Sequence, residues 1–261
     1  MRHAFPGLLA CLFAIASTGG CGAGRDAPVA PAGAPESART QALEAGAKVL
    51  QDNGPLAGFD VHLVGFHPMK DAPEAQMEAH HYCRQVNEDF AQCVLFDGDG
   101  AQANLTGIEY IVSERLFAQL PEQERASWHP HNAEILSGQL VAPGLPLAAE
   151  HALMRDKLNS YGKTWHTWRS RTGTAPGDRL PLGPAMLAWS FNREGEAQPG
   201  MVAARDAALD VSTGQRRENR RDLAPLAHPQ EGVDALHGRF ARPTRPIPGV
   251  RAARASPTAN R

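Results

Sequence analysis

Residues 59–67, 78–86, 90–96 and 105–112 form four strand-like stretches in close succession, joined by connections too short to contain a crossover helix. Asn87-Glu88-Asp89 and Asp97-Gly98-Asp99-Gly100 are turn-forming sequences, so successive strands must reverse direction and pair antiparallel. Two more strand-like runs follow at 135–141 and 185–191. Apolar residues at helical spacing predict helices over 39–51 and 147–159, and Pro121 opens a short polar helix reaching Trp128. Gly162 stands where the helix over 147–159 would take its C-cap. Helices interrupt the strands irregularly, with no βαβ rhythm. The expected fold is therefore α+β, a single domain with a mainly antiparallel sheet and flanking helices.

The chemistry-bearing side chains crowd into this region. Eight of the eleven histidines and three of the four tryptophans lie between His62 and Trp168, in the clusters His80-His81-Tyr82-Cys83, Trp128-His129-Pro130-His131 and Trp165-His166-Thr167-Trp168. Alternation along an extended strand puts His81 and Cys83 on one face, His80 and Tyr82 on the other, and His129 with His131 on a shared face. A His-x-His pair joined by a ligand from a neighbouring strand would make a transition-metal site. His80, His81, His129 and His131 are the candidate ligands of a divalent transition metal. Glu109 and Glu134 could complete the set or act as base, and His166 is a further candidate. The competing reading is a set of hydrogen-bonded core histidines, since no spacing matches His-Glu-x-x-His or Cys-x-x-Cys. Cys83 beside a histidine invites a thiol-nucleophile reading but has no supporting local signature. It could also pair with Cys93 if the two sit on adjacent strands. Tyr161, Trp165 and Trp168 could present an amphipathic aromatic surface or clamp a helix to the sheet. Neither a phosphate loop nor a Gly-x-Ser-x-Gly elbow is present, which argues against nucleotide hydrolysis and ordinary esterase chemistry.

The first twenty residues have a secretory layout: Arg2, an apolar run from Leu8 to Ala16 too short to span a bilayer, then small residues. Cys21 follows them and resembles the lipidated cysteine of bacterial lipoproteins. Thr18 departs from that pattern, which usually has an aliphatic residue there. Residues 21–37, rich in Gly, Ala and Pro, read as a flexible tether, 38–242 as the folded domain and 243–261 as a disordered Arg/Pro-rich tail. The expected partner is a membrane, reached through lipidated Cys21, together with a lipid or small apolar ligand. The expected location is the cell envelope: outer-membrane-anchored and facing the periplasm, otherwise free in the periplasm. Residues 205–261 carry 11 arginines against 6 acidic residues, while 21–204 carry 14 basic against 22 acidic, so the C-terminal part could fold back on an acidic body. No nucleic-acid partner is expected.

Several ordered motifs together are similar to the oil body-associated protein (DUF1264) family. They are His80-His81-Tyr82-Cys83, Asn87-Glu88-Asp89-Phe90 with Gln92-Cys93, Gly107-Ile108-Glu109-Tyr110-Ile111-Val112-Ser113, Ser137-Gly138, Tyr161 through Trp168, and Leu180-Pro181-Leu182-Gly183. The resemblance covers about residues 38–240. It implies association with a lipid surface, as for plant members on seed oil bodies, and supplies no catalytic residues. An export signal and a lipid anchor are departures from that family. The leading expectation is a non-catalytic envelope lipoprotein acting at a lipid or envelope surface. The alternative is a metal-dependent periplasmic enzyme using the clustered histidines.

Overall fold

The computed structural model describes residues 29–51, 54–172 and 175–253. Its centre is a seven-stranded antiparallel sheet curled into a half-barrel with flanking helices, a single α+β domain as expected. The strands β1 (Val61–Pro68), β2 (Gln76–Asn87), β3 (Phe90–Phe96), β4 (Leu105–Val112), β5 (His129–Pro130) and β6 (Tyr161–His166) lie in the order β1-β2-β3-β4-β6-β5. A two-residue ladder of β7 (Arg171–Thr172) with β8 (Ala175–Pro176) stands apart, and β9 (Met186–Leu187) pairs with β6. The reversals follow from local chemistry. Asn87 Oδ1 accepts the Asp89 N–H at 3.0 Å, and Asp97 Oδ1 accepts the Asn104 N–H at 2.7 Å, closing the turns on either side of β3.

Alternation divides the sheet into two faces. Leu63, Cys83, Cys93, Leu95 and Ile111 face a core completed by Ile135, Leu136, Leu140, Met154, Leu158, Leu223 and Ile247. Each fully buried aliphatic side chain there contributes roughly 1.5–3 kcal/mol of transfer free energy. On the outer face His62 stacks on Tyr82, with ring centroids 4.6 Å apart. Phe66 belongs to a second core with Trp189, Phe191, Met201, Leu236 and Phe240, so β1 is packed on both sides.

The helices are α1 (Ala38–Leu50), α2 (Glu114–Phe117), α3 (Glu122–Arg125), α4 (Asn132–Leu136), α5 (Leu147–Lys157), α6 (Met201–Leu209) and α7 (Thr213–Asn219). Helix α1 is capped by Ser37, which accepts the Thr40 N–H, yet buries no residue. The strand expected over 135–141 is absent: its first part is helix α4, wholly buried, and only Val141 bridges to β1, at Val64. Burial on every side leaves no period to read. The helix ends where Gly138 takes φ +78, a position at which a Cβ would meet the Thr213 carbonyl oxygen at 2.3 Å. In the 185–191 run only β9 and a single Ala188–Met69 bridge pair, because Trp189 and Phe191 pack into the second core instead. Gly162 is not a helix cap but the second residue of β6.

The tail is also different from the expectation. Strand β11 (Arg245–Pro246) pairs with β10 (Arg193–Glu194), Ile247 is 2% exposed, and the Gln230 N–H donates to the Arg251 carbonyl at 2.9 Å. One apolar anchor and a short backbone ladder hold the chain down as far as Ala253; residues 254–261 lie outside the described ones. The basic C-terminal part does fold back. Arg216 Nε lies 3.0 Å and Arg220 Nη2 3.3 Å from the buried Glu150 carboxylate. Arg220 donates to the carbonyls of Ile135 and Leu140, and Arg205 to those of Val64 and Gln139. These guanidinium groups satisfy carbonyls that the short helix α4 leaves open, fixing the 135–140 segment against β1.

Candidate metal centre

On the core face, beyond the aliphatic side chains, β1, β2, β4 and β6 turn four polar residues inward: His67, His81, Glu109 and His166, between 0 and 4% exposed. The loop through β5 into α4 adds His129, His131 and Glu134, also buried. Register explains the convergence. Leu63 pairs His81, Cys93 pairs Glu109, Gly107 pairs His166 and His129 pairs Gly162. Inward positions on separate strands are thereby stacked into one patch.

Glu109 is the hub. His81 Nε2 lies 2.8 Å from its Oε2, while His131 Nε2 and His129 Nε2 lie 3.2 and 3.6 Å from its Oε1. The far nitrogens of two of these rings are already committed. His81 Nδ1 lies 3.1 Å from the Ala79 carbonyl, which can only accept, so Nδ1 carries the proton. His131 Nδ1 lies 2.8 Å from Ser160 Oγ, whose own hydrogen goes to the Lys157 carbonyl at 2.7 Å, so this Nδ1 is also a donor. When neutral, both rings therefore aim an Nε2 lone pair at a carboxylate. Two acceptors face each other there, an arrangement completed by a proton or by a cation. Pinning the distal N–H to a carbonyl or hydroxyl is also how proteins orient metal-ligating imidazoles.

Burial favours the neutral imidazole at His129, His166 and His67. Burial, then His131, pushes the His129 pKa down to about 3, and both its ring nitrogens are buried without a hydrogen-bond partner. Burial, then His81, pushes His166 down to about 4, and burial with His81 and His166 holds His67 well below its ordinary value. Burial alone would raise Glu109, but when His131 and His81 also carry a proton on Nε2 and donate it, those hydrogen bonds together with the attraction of the His81 and His129 charges outweigh burial and hold the carboxyl well below the usual range. Glu134 goes the other way, raised by burial and by the Glu109 charge. His67 Nδ1 and His166 Nε2 are 2.9 Å apart.

First-row ions hold N and O donors at about 2.0–2.2 Å, so donors on one ion stand no more than about 4.3 Å apart. The donor atoms of His67, His81 and Glu109, and of Glu109, His129 and His131, lie within 4.8 Å of one another. The two triads share Glu109, and either would close on an ion by a contraction of at least about half an ångström, within the reach of side-chain torsions. Gly162 leaves the room: a Cβ there would stand 2.2 Å from Glu109 Oε1, 2.6 Å from His131 Nε2 and 2.7 Å from His129 Cε1.

Of the residues singled out from the sequence, His81, His129, His131, Glu109, Glu134 and His166 are brought together and His80 is not. Strand alternation sends His80 to the outer face, where it meets His62 at 3.1 Å and Glu78 at 3.1 Å. Cys83 offers no thiol, because it is disulfide-bonded to Cys93 directly across the β2–β3 pair, with Cα atoms 4.0 Å apart. The aromatic residues after α5 do not form one surface. Tyr161 is buried, stacked on Phe117 at 3.5 Å, and Trp168 donates its indole N–H to the Asp178 carbonyl at 2.8 Å. His67 is the member of the cluster not singled out from the sequence; alternation from Leu63 through Gly65 already put it on the inward face. Cys21 lies outside the described residues, and no helix among the described ones is long and apolar enough to cross a membrane.

The family described as "Protein of unknown function (DUF1264)" matches residues 53–224, a span that begins after α1. Oil body-associated protein 1A of Zea mays is 38% identical over 204 residues, covering 78% of this chain and 83% of the relative. Oil body-associated protein 2A of Arabidopsis thaliana is 36% identical over 192 residues, covering 73% and 76%. No solved structure matches the chain. On the length of the family match and the identity to these relatives, the chain belongs to the DUF1264 family.

Proposed function

We propose that this protein is a metal-binding member of the DUF1264 family, holding one first-row divalent ion between His67, His81, Glu109, His129 and His131. The observation that carries the reading is the orientation of His81 and His131, each fixed through Nδ1 with Nε2 directed at the same buried carboxylate. A set of imidazoles and one carboxylate, with both nearby sulfurs closed in a disulfide, favours zinc, copper(II), nickel or non-haem iron over thiophilic ions. Full-length protein purified without an affinity tag, stripped with chelator and titrated against a competing indicator should bind one ion per chain. His81→Ala and His131→Ala should weaken binding by at least about 100-fold, and His80→Ala should leave it unchanged. No stoichiometric uptake, or equal damage from His80→Ala and His81→Ala, would overturn the assignment.

The proposed setting is a lipid or envelope surface, with the protein tethered through a lipidated Cys21. Its support is the lipoprotein-like sequence around Cys21 and the names of the plant relatives, which associate those proteins with oil bodies. Mass spectrometry of the mature N-terminus tests the tether: a diacylglyceryl adduct on Cys21 is expected, and an unmodified cysteine removes the anchor.

A further inference from the structure

The centre opens onto a small cavity with two unlike walls. His67, His81, Glu109, His131 and Glu134 form the polar wall; Leu63, Ile111 and Leu140 form the other. About 20 Å³ is open to the centre of a water molecule, room for one or two water-sized species. Every lining residue but one is buried. The exception is Lys157, at the end of α5, whose partly exposed side chain reaches Gln85 Oε1 on β2 at 2.6 Å. Lys157 is thus the lining residue nearest to solvent.

Resting on the metal reading above, we propose that the ion keeps one coordination position facing this cavity, and that the position takes water, hydroxide or a small anion of up to about three heavy atoms admitted past Lys157. The aliphatic wall has no donor to close that position. Its side chains also fix the size limit, since a larger ligand would have to displace Leu63, Ile111 or Leu140 from a packed core. Lys157 favours anions at the entrance by charge. The centre would thus act on a small inorganic molecule or anion and exclude bulky organic substrates from the ion.

The test uses full-length protein loaded with cobalt(II), whose visible bands report both occupancy and coordination number, with cobalt content measured on the same samples. Azide should change the bands saturably in the wild type, while imidazole, a five-atom ring, should not. Leu140→Ala should admit imidazole. Lys157→Met should weaken azide about two- to fivefold at low salt. Cobalt bands that ignore azide would show a closed structural centre and overturn the inference while leaving the metal reading standing. Wild-type protein that binds imidazole as readily as azide would refute the size limit, and an unchanged azide affinity in Lys157→Met would refute the entrance. Absence of cobalt bands would remove the metal reading and this inference with it.

Discussion

Gly162→Ala is the sharpest perturbation of the centre, because it adds a single methyl group at the point where three of the proposed ligands meet. Gly162 lies in β6 and is not among the positive-φ glycines, so alanine suits its backbone. On chain entropy alone the change would stabilise the fold by about 0.4–1 kcal/mol. The added carbon, however, would sit 2.2 Å from Glu109 Oε1, about 1 Å inside normal contact. His131 Nε2 at 2.6 Å and His129 Cε1 at 2.7 Å block two of the directions in which it could be relieved. Overpacking of this kind costs roughly 1–3 kcal/mol, which for a domain this size lowers Tm by about 2–10 °C. Metal sites tolerate displacements of only about 0.2 Å, so moving the carboxylate by several times that should cost at least one ligand and about 100-fold in affinity. Thermal unfolding in chelator reads the first effect and indicator competition the second. Gly46→Ala, in α1 with nothing within 4 Å of its Cβ, is the control and should be neutral or slightly stabilising. Gly162→Ala protein that melts and binds metal like the wild type would refute the claim that this missing side chain makes room for the centre.

Three further outcomes are expected. In the metal-free protein the histidines with pKa values depressed to about 3 (His129) and about 4 (His166), and His67, stay neutral in the fold while the unfolded chain protonates near the ordinary histidine value of about 6.5. Stability is therefore fully present above that pH and falls as the pH drops from 6.5 towards 4, by about 1.4 kcal/mol per unit for each histidine. Glu134, raised instead, opposes this with one proton of the contrary sign. Urea midpoints in chelator should thus fall steeply between pH 6.5 and 4.5, and a flat profile would contradict buried neutral imidazoles. Replacing Cys83 and Cys93 by serine opens a link of sequence separation 10 and should cost about 2–3 kcal/mol by chemical denaturation; an unchanged midpoint would count against the link. Glu150→Ala should cost about 3–5 kcal/mol, because it strands the guanidinium groups of Arg216 and Arg220 in the interior; calorimetry showing a loss under 1 kcal/mol would deny that pairing.

The sheet was legible where hydrophobic alternation coincided with turn chemistry. Strands β3 and β4 begin and end where the residues on either side of Asp97-Gly98-Asp99-Gly100 predict, and alternation also separated His81 from its neighbour His80. It failed over 135–141, where residues buried on all sides carry no period and two arginines distant in sequence, Arg205 and Arg220, set the conformation. The centre was legible as a location, because histidines gathered on neighbouring strands. Glu109 and Glu134 were both named as residues that could complete the set, but that Glu109 is the one between the imidazoles depends on register, a pairing property that no single strand encodes. Gly162 was misread because glycine after a helix usually signals a cap, and its use here is spatial, against residues about thirty to fifty positions away.

The ladder that ties the end of the chain to Gln230 reaches further than its few hydrogen bonds suggest. Gln230 accepts the Asn132 N–H at 3.1 Å and donates to the Ser160 carbonyl at 3.0 Å, bracing the two segments that aim His131. Its own backbone is held on both sides by Arg251 and Ala253. The imidazole cluster, whose members all precede residue 167, therefore depends for its geometry on backbone made more than sixty positions further along the chain. On the metal reading proposed above, a chain cut short before Arg251 would carry every proposed ligand yet lack the brace behind His131, so it should hold an ion more loosely than the whole domain.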